Sequence, residues 1–186
     1  MQRRAREACQ LLMNDWEALD GLYERFHGDP DWPFDARAPR AWQSLVQSWQ
    51  MGAWLGDTAV AIAVQAGEPA GYASLTPASV QEPSLGRAWE VGTYVAPNHR
   101  GTHVNGLLKR WAAEEALRFG ARWLVACIPF GNHRAAGAFL KVFPEASVYD
   151  ESTAGPWRLY LRRRSFAAGQ PTRLYVVQLQ SLSSPT

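Results

Sequence analysis

The chain has 186 residues, of which 47% are hydrophobic and 19% charged, and its formal net charge is +2. This length suits one domain with a real core, and the composition excludes a disordered chain. So small a charge gives no reason to expect a nucleic-acid partner, and no apolar run approaches the roughly 18 residues of a membrane span.

In chain order, the basic start (Arg3, Arg4, Arg6) soon reaches Asn14, Asp15 and Glu17, which is unlike a signal peptide. Ala8–Met13 is a short apolar run, expected as a first strand. Asn14 or Asp15 then caps a helix to about His27, with Trp16, Leu19, Leu22, Tyr23 and Phe26 at helical spacing. His27–Ala38 holds Gly28, Pro30 and Pro33 and is a loop. Pro39 opens a second helix, as proline suits a first helical turn, and Trp42, Leu45, Val46 and Trp49 form its stripe. Thr58–Gln65 and Ala70–Thr76 read as a hairpin around Ala66-Gly67-Glu68-Pro69. Ala78–Arg87 is a loop and Ala88–Val95 a strand. A helix follows from about His103 to Phe119, ended by Gly120. Trp123–Ile128 is a nearly continuous apolar run, as in a strand buried on both faces. Pro129–Asn132 is a turn and His133–Val142 a short helix. Ser147–Ser152 and Trp157–Arg163 are expected as strands, with Arg162–Arg164 a charged strand end. Leu174–Leu179 is a possible added strand before a polar tail, in an extension that caps a sheet edge or pairs with a dimer partner. This order predicts a mixed α/β sheet with helices on both faces, in a domain over 8–164 followed by a C-terminal extension over 165–186.

Cys9 and Cys127 are the only cysteines, and both read as reduced core residues of a cytoplasmic protein. No His/Cys/Asp/Glu spacing suggests a metal, so none is expected. The segment Tyr94-Val95-Ala96-Pro97-Asn98-His99-Arg100-Gly101-Thr102-His103-Val104-Asn105-Gly106 carries the chemistry. A strand stops at proline, turns through basic and small residues, and opens a helix. The unpaired N–H groups of a first helical turn, with the helix dipole, form a phosphate site, and Arg100 stands at its rim.

These residues resemble the acetyl-CoA signature of the GCN5-related N-acetyltransferase (GNAT) superfamily, Val-x-Pro-x-x-Arg-Gly-x-Gly-x-Gly, in which Val95, Pro97, Arg100 and Gly101 match. Asn132-His133-Arg134-Ala135-Ala136-Gly137-Ala138-Phe139-Leu140-Lys141 resembles the second signature, Asn-x-x-Ala-x-x-Phe-Tyr-x-Lys. The resemblance implies a mostly antiparallel sheet of about seven strands with a splayed parallel central pair. It implies an acetyl-CoA co-substrate, with the pantetheine arm beside Tyr94 and Val95. The pyrophosphate would rest on Arg100, Gly101, Thr102, His103, Val104, Asn105 and Gly106, and the cofactor would also meet Asn132 and Phe139. It implies direct transfer of an acetyl or other short acyl group to a primary amine of a small molecule, in a monomer or homodimer without nucleic acid or membrane as partner. Glu90 is the expected general base. The acceptor would lie between His27–Asp35, with Asp29, Asp31, Trp32, Phe34 and Asp35, and a later hairpin with Asp150, Glu151 and Trp157, where carboxylates and rings would hold a cationic amine.

Three departures from the pattern bear on binding and chemistry. His103 and Asn105 replace glycines, where a positive φ and close phosphate approach are expected; the ring of His103 either crowds the phosphate or helps to bind it. Phe139 stands where relatives often carry the tyrosine that protonates the leaving thiolate. Water, Tyr94, Tyr149 or His133 supplies the proton, or the thiolate leaves unassisted, or the protein binds acyl-CoA without turnover.

Overall fold

A computed structural model describes residues 9–33 and 36–179. β1 (Gln10–Met13) leads to α1 (Trp16–Phe26), where the Asp15 carboxylate caps the helix by accepting from the Ala18 N–H at 3.0 Å. α2 (Pro39–Leu55) starts on its proline and ends at Gly56, which adopts φ +80°. β2 (Ala59–Gln65), β3 (Glu68–Pro77) and β4 (Ala88–Val95) follow, then α3 (Val104–Arg118), β5 (Trp123–Pro129) and α4 (His133–Val142). β6 (Ser147–Tyr149), α5 (Arg158–Ala167) and β7 (Thr172–Gln178) complete the described chain.

The strands form one seven-stranded sheet in the order β1-β2-β3-β4-β5-β7-β6. All neighbours are antiparallel except β4 and β5. Strand alternation divides the core into layers, because successive side chains point to opposite faces. Ala59, Ala61 and Ala63 of β2, Trp89 and Val91 of β4, and Leu124, Ala126 and Ile128 of β5 meet α3 and α4. Val60, Ile62, Tyr72 and Tyr94 meet α1 and α2 on the other face. Ala88, Val125, Leu174 and Val176 share that second face with Tyr160 and Leu161 of α5.

The C-terminal third differs from expectation. Trp157–Arg163 is not a strand: a 3-10 turn over Gly155–Trp157 runs into α5. The apolar alternation of Trp157, Leu159 and Leu161 suggests period two, yet Leu159 is 54% exposed while Trp157, Tyr160 and Leu161 are buried at helical spacing. β6 stops at Tyr149, because the Asp150 carboxylate accepts from the N–H groups of Ser152 (2.9 Å) and Thr153 (3.0 Å) and turns the chain. β7 is no edge addition but lies between β5 and β6, so part of the expected extension is interior sheet. Ala8, Phe34, Asp35, the N-terminal arginines and residues 180–186 lie outside the described residues.

Candidate active site

β4 and β5 pair over only three positions, Ala88–Trp123, Trp89–Leu124 and Glu90–Val125. Beyond Glu90 they part, while β4 stays paired to β3 as far as Val95 and β5 to β7 as far as Pro129. The parting leaves two facing strand edges with unpaired backbone groups. A cleft of about 560 Å³ occupies the gap and reaches both faces of the sheet. Glu90, Cys127 and Arg164 line it on the α5 side, and Thr93, Lys109, Ala126 and Phe139 on the α3 and α4 side.

Of the expected site residues, Glu90, Asn132 and Phe139 meet in the cleft wall. Asn132 is also the N-cap of α4, its side-chain oxygen accepting from the Ala135 N–H at 3.0 Å. Phe139 is 1% exposed and packs against the rings of Phe143 and Tyr175. Tyr149 does not line the cleft; it sits on β6 and packs against the α5 cluster. His133, at the start of α4, is exposed. Neither tyrosine nor histidine is among the described residues of the lining.

The loop expected to hold the pyrophosphate follows β4, with Gly101, Thr102 and His103 exposed. Gly101 has φ +76°, and nothing lies within 4 Å of a Cβ built there. The strain expected at the two replaced glycines is absent: His103 has φ −76° as the N-cap of α3, and Asn105 is an ordinary helical residue. Arg100 is not at a free rim. Its guanidinium bonds Asp29 Oδ2 at 2.7 Å, Asp31 Oδ2 at 3.1 Å and the Val95 carbonyl at 3.1 Å. Arg134 of α4 also grips Asp31. Burial raises the Asp29 pKa, but Arg100, the Asp31 N–H and the Tyr94 hydroxyl outweigh it and hold the carboxyl below its ordinary value. Burial and Asp29 push the Tyr94 hydroxyl well up, so it holds its proton.

Of the residues expected around the acceptor, Asp31 and Trp32 line the cleft, whereas Asp150, Glu151 and Trp157 do not. Asp29 and Asp31 pair with arginines, Glu151 pairs with Arg162 at 3.4 Å, and the hydrogen bonds of its own turn keep Asp150 charged, its pKa lowered to about 2. Trp32 and Trp157 are 1% and 3% exposed and belong to the core.

Sequence reasoning missed three residues. Tyr160 and Arg164 are four apart on α5, so both reach Glu90: the hydroxyl donates to Oε2 at 2.5 Å, and the guanidinium meets Oε1 at 2.8 Å. Burial lowers the Arg164 pKa, but Glu90 and the neighbouring Tyr160 and Cys127 raise it further, and the guanidinium stays charged. Burial, then Glu90, pushes the Cys127 thiol far up, which removes it as a nucleophile. The third residue is Lys109, 3% exposed, which donates to Thr93 Oγ1 at 3.1 Å and to Asn105 Oδ1. Burial lowers its pKa to about 8. The signal the sequence offered is spacing: Asn105, Lys109, Ala112 and Ala116 share one helical face, of which the two alanines are apolar.

Among the described residues no helix is long and apolar enough to cross a membrane, and no group of three or more His/Cys/Asp/Glu side chains is placed to hold a metal. No curated protein matches the sequence. The fold is shared with many solved structures. Salmonella typhimurium yncA, solved with its cofactor acetyl-CoA, is 18% identical, with 96% of this chain and 98% of that chain covered at a TM-score of 0.66. An N-acetyltransferase from Staphylococcus aureus Mu50 is 14% identical, with 93% and 99% covered and a TM-score of 0.67. Campylobacter jejuni N-acetyltransferase PseH, in complex with acetyl coenzyme A, is 13% identical, with 93% and 100% covered and a TM-score of 0.56. A sequence model of the acetyltransferase (GNAT) family matches residues 16–143, which include β4, the phosphate loop, α3, β5 and α4; the chain belongs to the GNAT acetyltransferase family.

Proposed function

We propose that the protein transfers an acetyl group from acetyl-CoA to a primary amine of a small molecule by direct attack, in the cytoplasm, as a monomer or homodimer. The observation that carries this reading is the cleft through the sheet where β4 leaves β5. Its free strand edges suit an extended amide-bearing arm, and the start of α3 suits a pyrophosphate. In this reading the arm lies beside Tyr94 and Val95, and the amides from Arg100 to Gly106 hold the phosphates. Asn132 and Phe139 flank the thioester, and Glu90 receives the proton of the attacking amine. Catalysis comes from positioning and from backbone donors near the developing oxyanion. The acceptor approaches from the face of Glu90 and Arg164. In this reading its amine meets Glu90 in the cleft wall, a carboxylate that, like Asp29 and Asp31, is paired with an arginine.

The test is thermal melting with and without acetyl-CoA, followed by thiol release against a panel of amines. Stabilisation with amine-dependent release is expected; no stabilisation by any CoA species refutes the reading. A second reading, binding without turnover, is favoured by the lack of tyrosine or histidine in the described lining. Stabilisation without thiol release would establish it.

A further inference from the structure

If the protein is the acetyltransferase proposed above, the departing CoA thiolate needs a proton that Phe139 cannot give. We propose that Lys109 gives it, as the general acid of this cleft.

Four features support this assignment. The first is position: Lys109 and Phe139 both line the cleft, on its α3 and α4 side, where the chain parts from β5. The second is donor geometry. An ammonium has three N–H bonds; two are directed at Thr93 Oγ1 and Asn105 Oδ1, and the third remains for a ligand in the cleft. The third is charge. Lys109 is 3% exposed, and its hydrogen-bond partners Thr93 and Asn105 are neutral. A buried cation beside a newly formed thiolate is discharged by the proton transfer, which removes both charges from a poorly solvated site. The fourth is matching. With its pKa lowered to about 8 by burial, Lys109 lies close to a free thiol near 8.5, the range in which an acid serves best at neutral pH.

The other titratable groups are engaged. Glu90 is on the opposite face, bonded to Tyr160 and Arg164. Cys127 holds its proton, as does Tyr94, whose hydroxyl is given to Asp29. Asp31 is held by Arg100 and Arg134, and Arg37 donates to the carbonyls of Asp29, Pro30 and Trp32. From α4 the cleft receives Ala135 and Phe139, which carry no charge.

In the step, the acceptor nitrogen attacks the thioester carbonyl carbon and the C–N bond forms. The C–S bond breaks with its electron pair on sulfur. Sulfur takes a proton from Lys109 Nζ, leaving a neutral amine. The surplus proton on the new amide nitrogen passes to Glu90 or water, and Lys109 is reprotonated from solvent. Nothing is oxidised or reduced.

The experiment compares wild type, Lys109→Met, Phe139→Tyr and the double variant, using acetyl-CoA and an amine that wild type accepts. Kd for acetyl-CoA is measured by calorimetry and kcat across pH. Lys109→Met is expected to lower kcat by about 10²-fold while Kd moves less than about threefold. Phe139→Tyr in the Lys109→Met background is expected to restore at least about tenfold, because the phenol supplies the missing acid. Wild-type kcat should decline above about pH 8, and Phe139→Tyr alone should carry activity to higher pH. That single variant keeps the test decisive if Lys109→Met fails to fold. Wild-type kcat in Lys109→Met, or an alkaline limb that Phe139→Tyr leaves unmoved, overturns the assignment while leaving the acetyltransferase reading intact. A wild type that binds acetyl-CoA and releases no thiol overturns both.

Discussion

Burial of Lys109 has a consequence for stability that is independent of catalysis. The chain has only two lysines, Lys109 and Lys141, so each can be followed singly. Folding lowers the Lys109 pKa from 10.5 to about 8. Multiplied by about 1.4 kcal/mol per tenfold, the difference amounts to about 3 kcal/mol. Its sign is opposite to that of a lysine gaining a salt bridge. Below about pH 8 both states hold the proton, and the folded protein carries the full cost of a buried charge. Between about pH 8 and 10.5 the unfolded chain binds more protons than the folded one, so stability rises with pH. In Lys109→Met this dependence vanishes, and titrations common to both proteins cancel in the difference. Urea unfolding of the two proteins at about pH 7 and about pH 10 should therefore give a stability difference that shifts by roughly 2–3 kcal/mol in favour of wild type at the higher pH. Carbon-13 labelling at lysine Cε, with Lys141→Arg for assignment, reads the same titration directly by NMR. Parallel stability profiles, or a Lys109 midpoint near 10.5, would show instead that the ammonium is solvated in the folded protein.

Three further substitutions have expected outcomes. Arg100→Met strands the Asp29 carboxylate, whose side chain is 6% exposed, and should cost about 3 kcal/mol in urea unfolding, most of it recovered by adding Asp29→Asn. The depressed Asp29 pKa stabilises wild type above the ordinary carboxylate value of 3.8, and this stability is lost as pH falls through the lower folded value; the acid-side loss should be smaller in Arg100→Met. Gly71→Ala places a Cβ 2.4 Å from the Tyr94 carbonyl oxygen and 3.1 Å from Val95 Cα, so calorimetric melting should show a loss of about 3 kcal/mol or more, with acetyl-CoA affinity falling as that strand wall shifts. Glu90→Gln should lower kcat by about 10²-fold with acetyl-CoA affinity little changed; near-normal turnover at neutral pH removes Glu90 as base.

The fold was legible wherever local chemistry and tertiary packing agree. The periodicity of α1 and α2, the hairpin of β2 and β3, the proline after β4 and the glycine after α3 all mark elements found in place. The segment from Trp157 was misread because its apolar residues alternate while its arginines do not announce which face they take; packing against β5 and β7 decides for helix. That misreading concealed Tyr160 and Arg164, since only a helix brings residues four apart to the same carboxylate. The site was legible as backbone: the strand end, the Gly101 turn and the opening of α3 are sequence features. Its electrostatics were not. Whether Asp29 and Asp31 are free for a substrate depends on Arg100 and Arg134, which lie far along the chain, and no local pattern records such pairs.

The departures from the family pattern are physically linked. Asn105 replaces a glycine, yet its side chain is turned to Lys109 on the next helical turn and meets the buried ammonium. Thr93 supplies the other acceptor from β4. A glycine at 105 would leave that ammonium with one protein acceptor, at a site where each hydrogen bond to a charge is worth about 1.5–3 kcal/mol. Asn105→Ala isolates this contribution, because alanine improves helix propensity by about 0.6 kcal/mol and any loss must exceed that gain. Without the acceptor the charged form is less favoured, so the Lys109 midpoint should fall below about 8 in the lysine NMR titration. In the Lys109→Met background the same change should lose its cost, which makes the pair a double-mutant cycle with coupling of about 1–2 kcal/mol. An additive cycle with an unmoved midpoint would show that Asn105 stands beside the lysine without holding it, and the replaced glycine would then need another explanation.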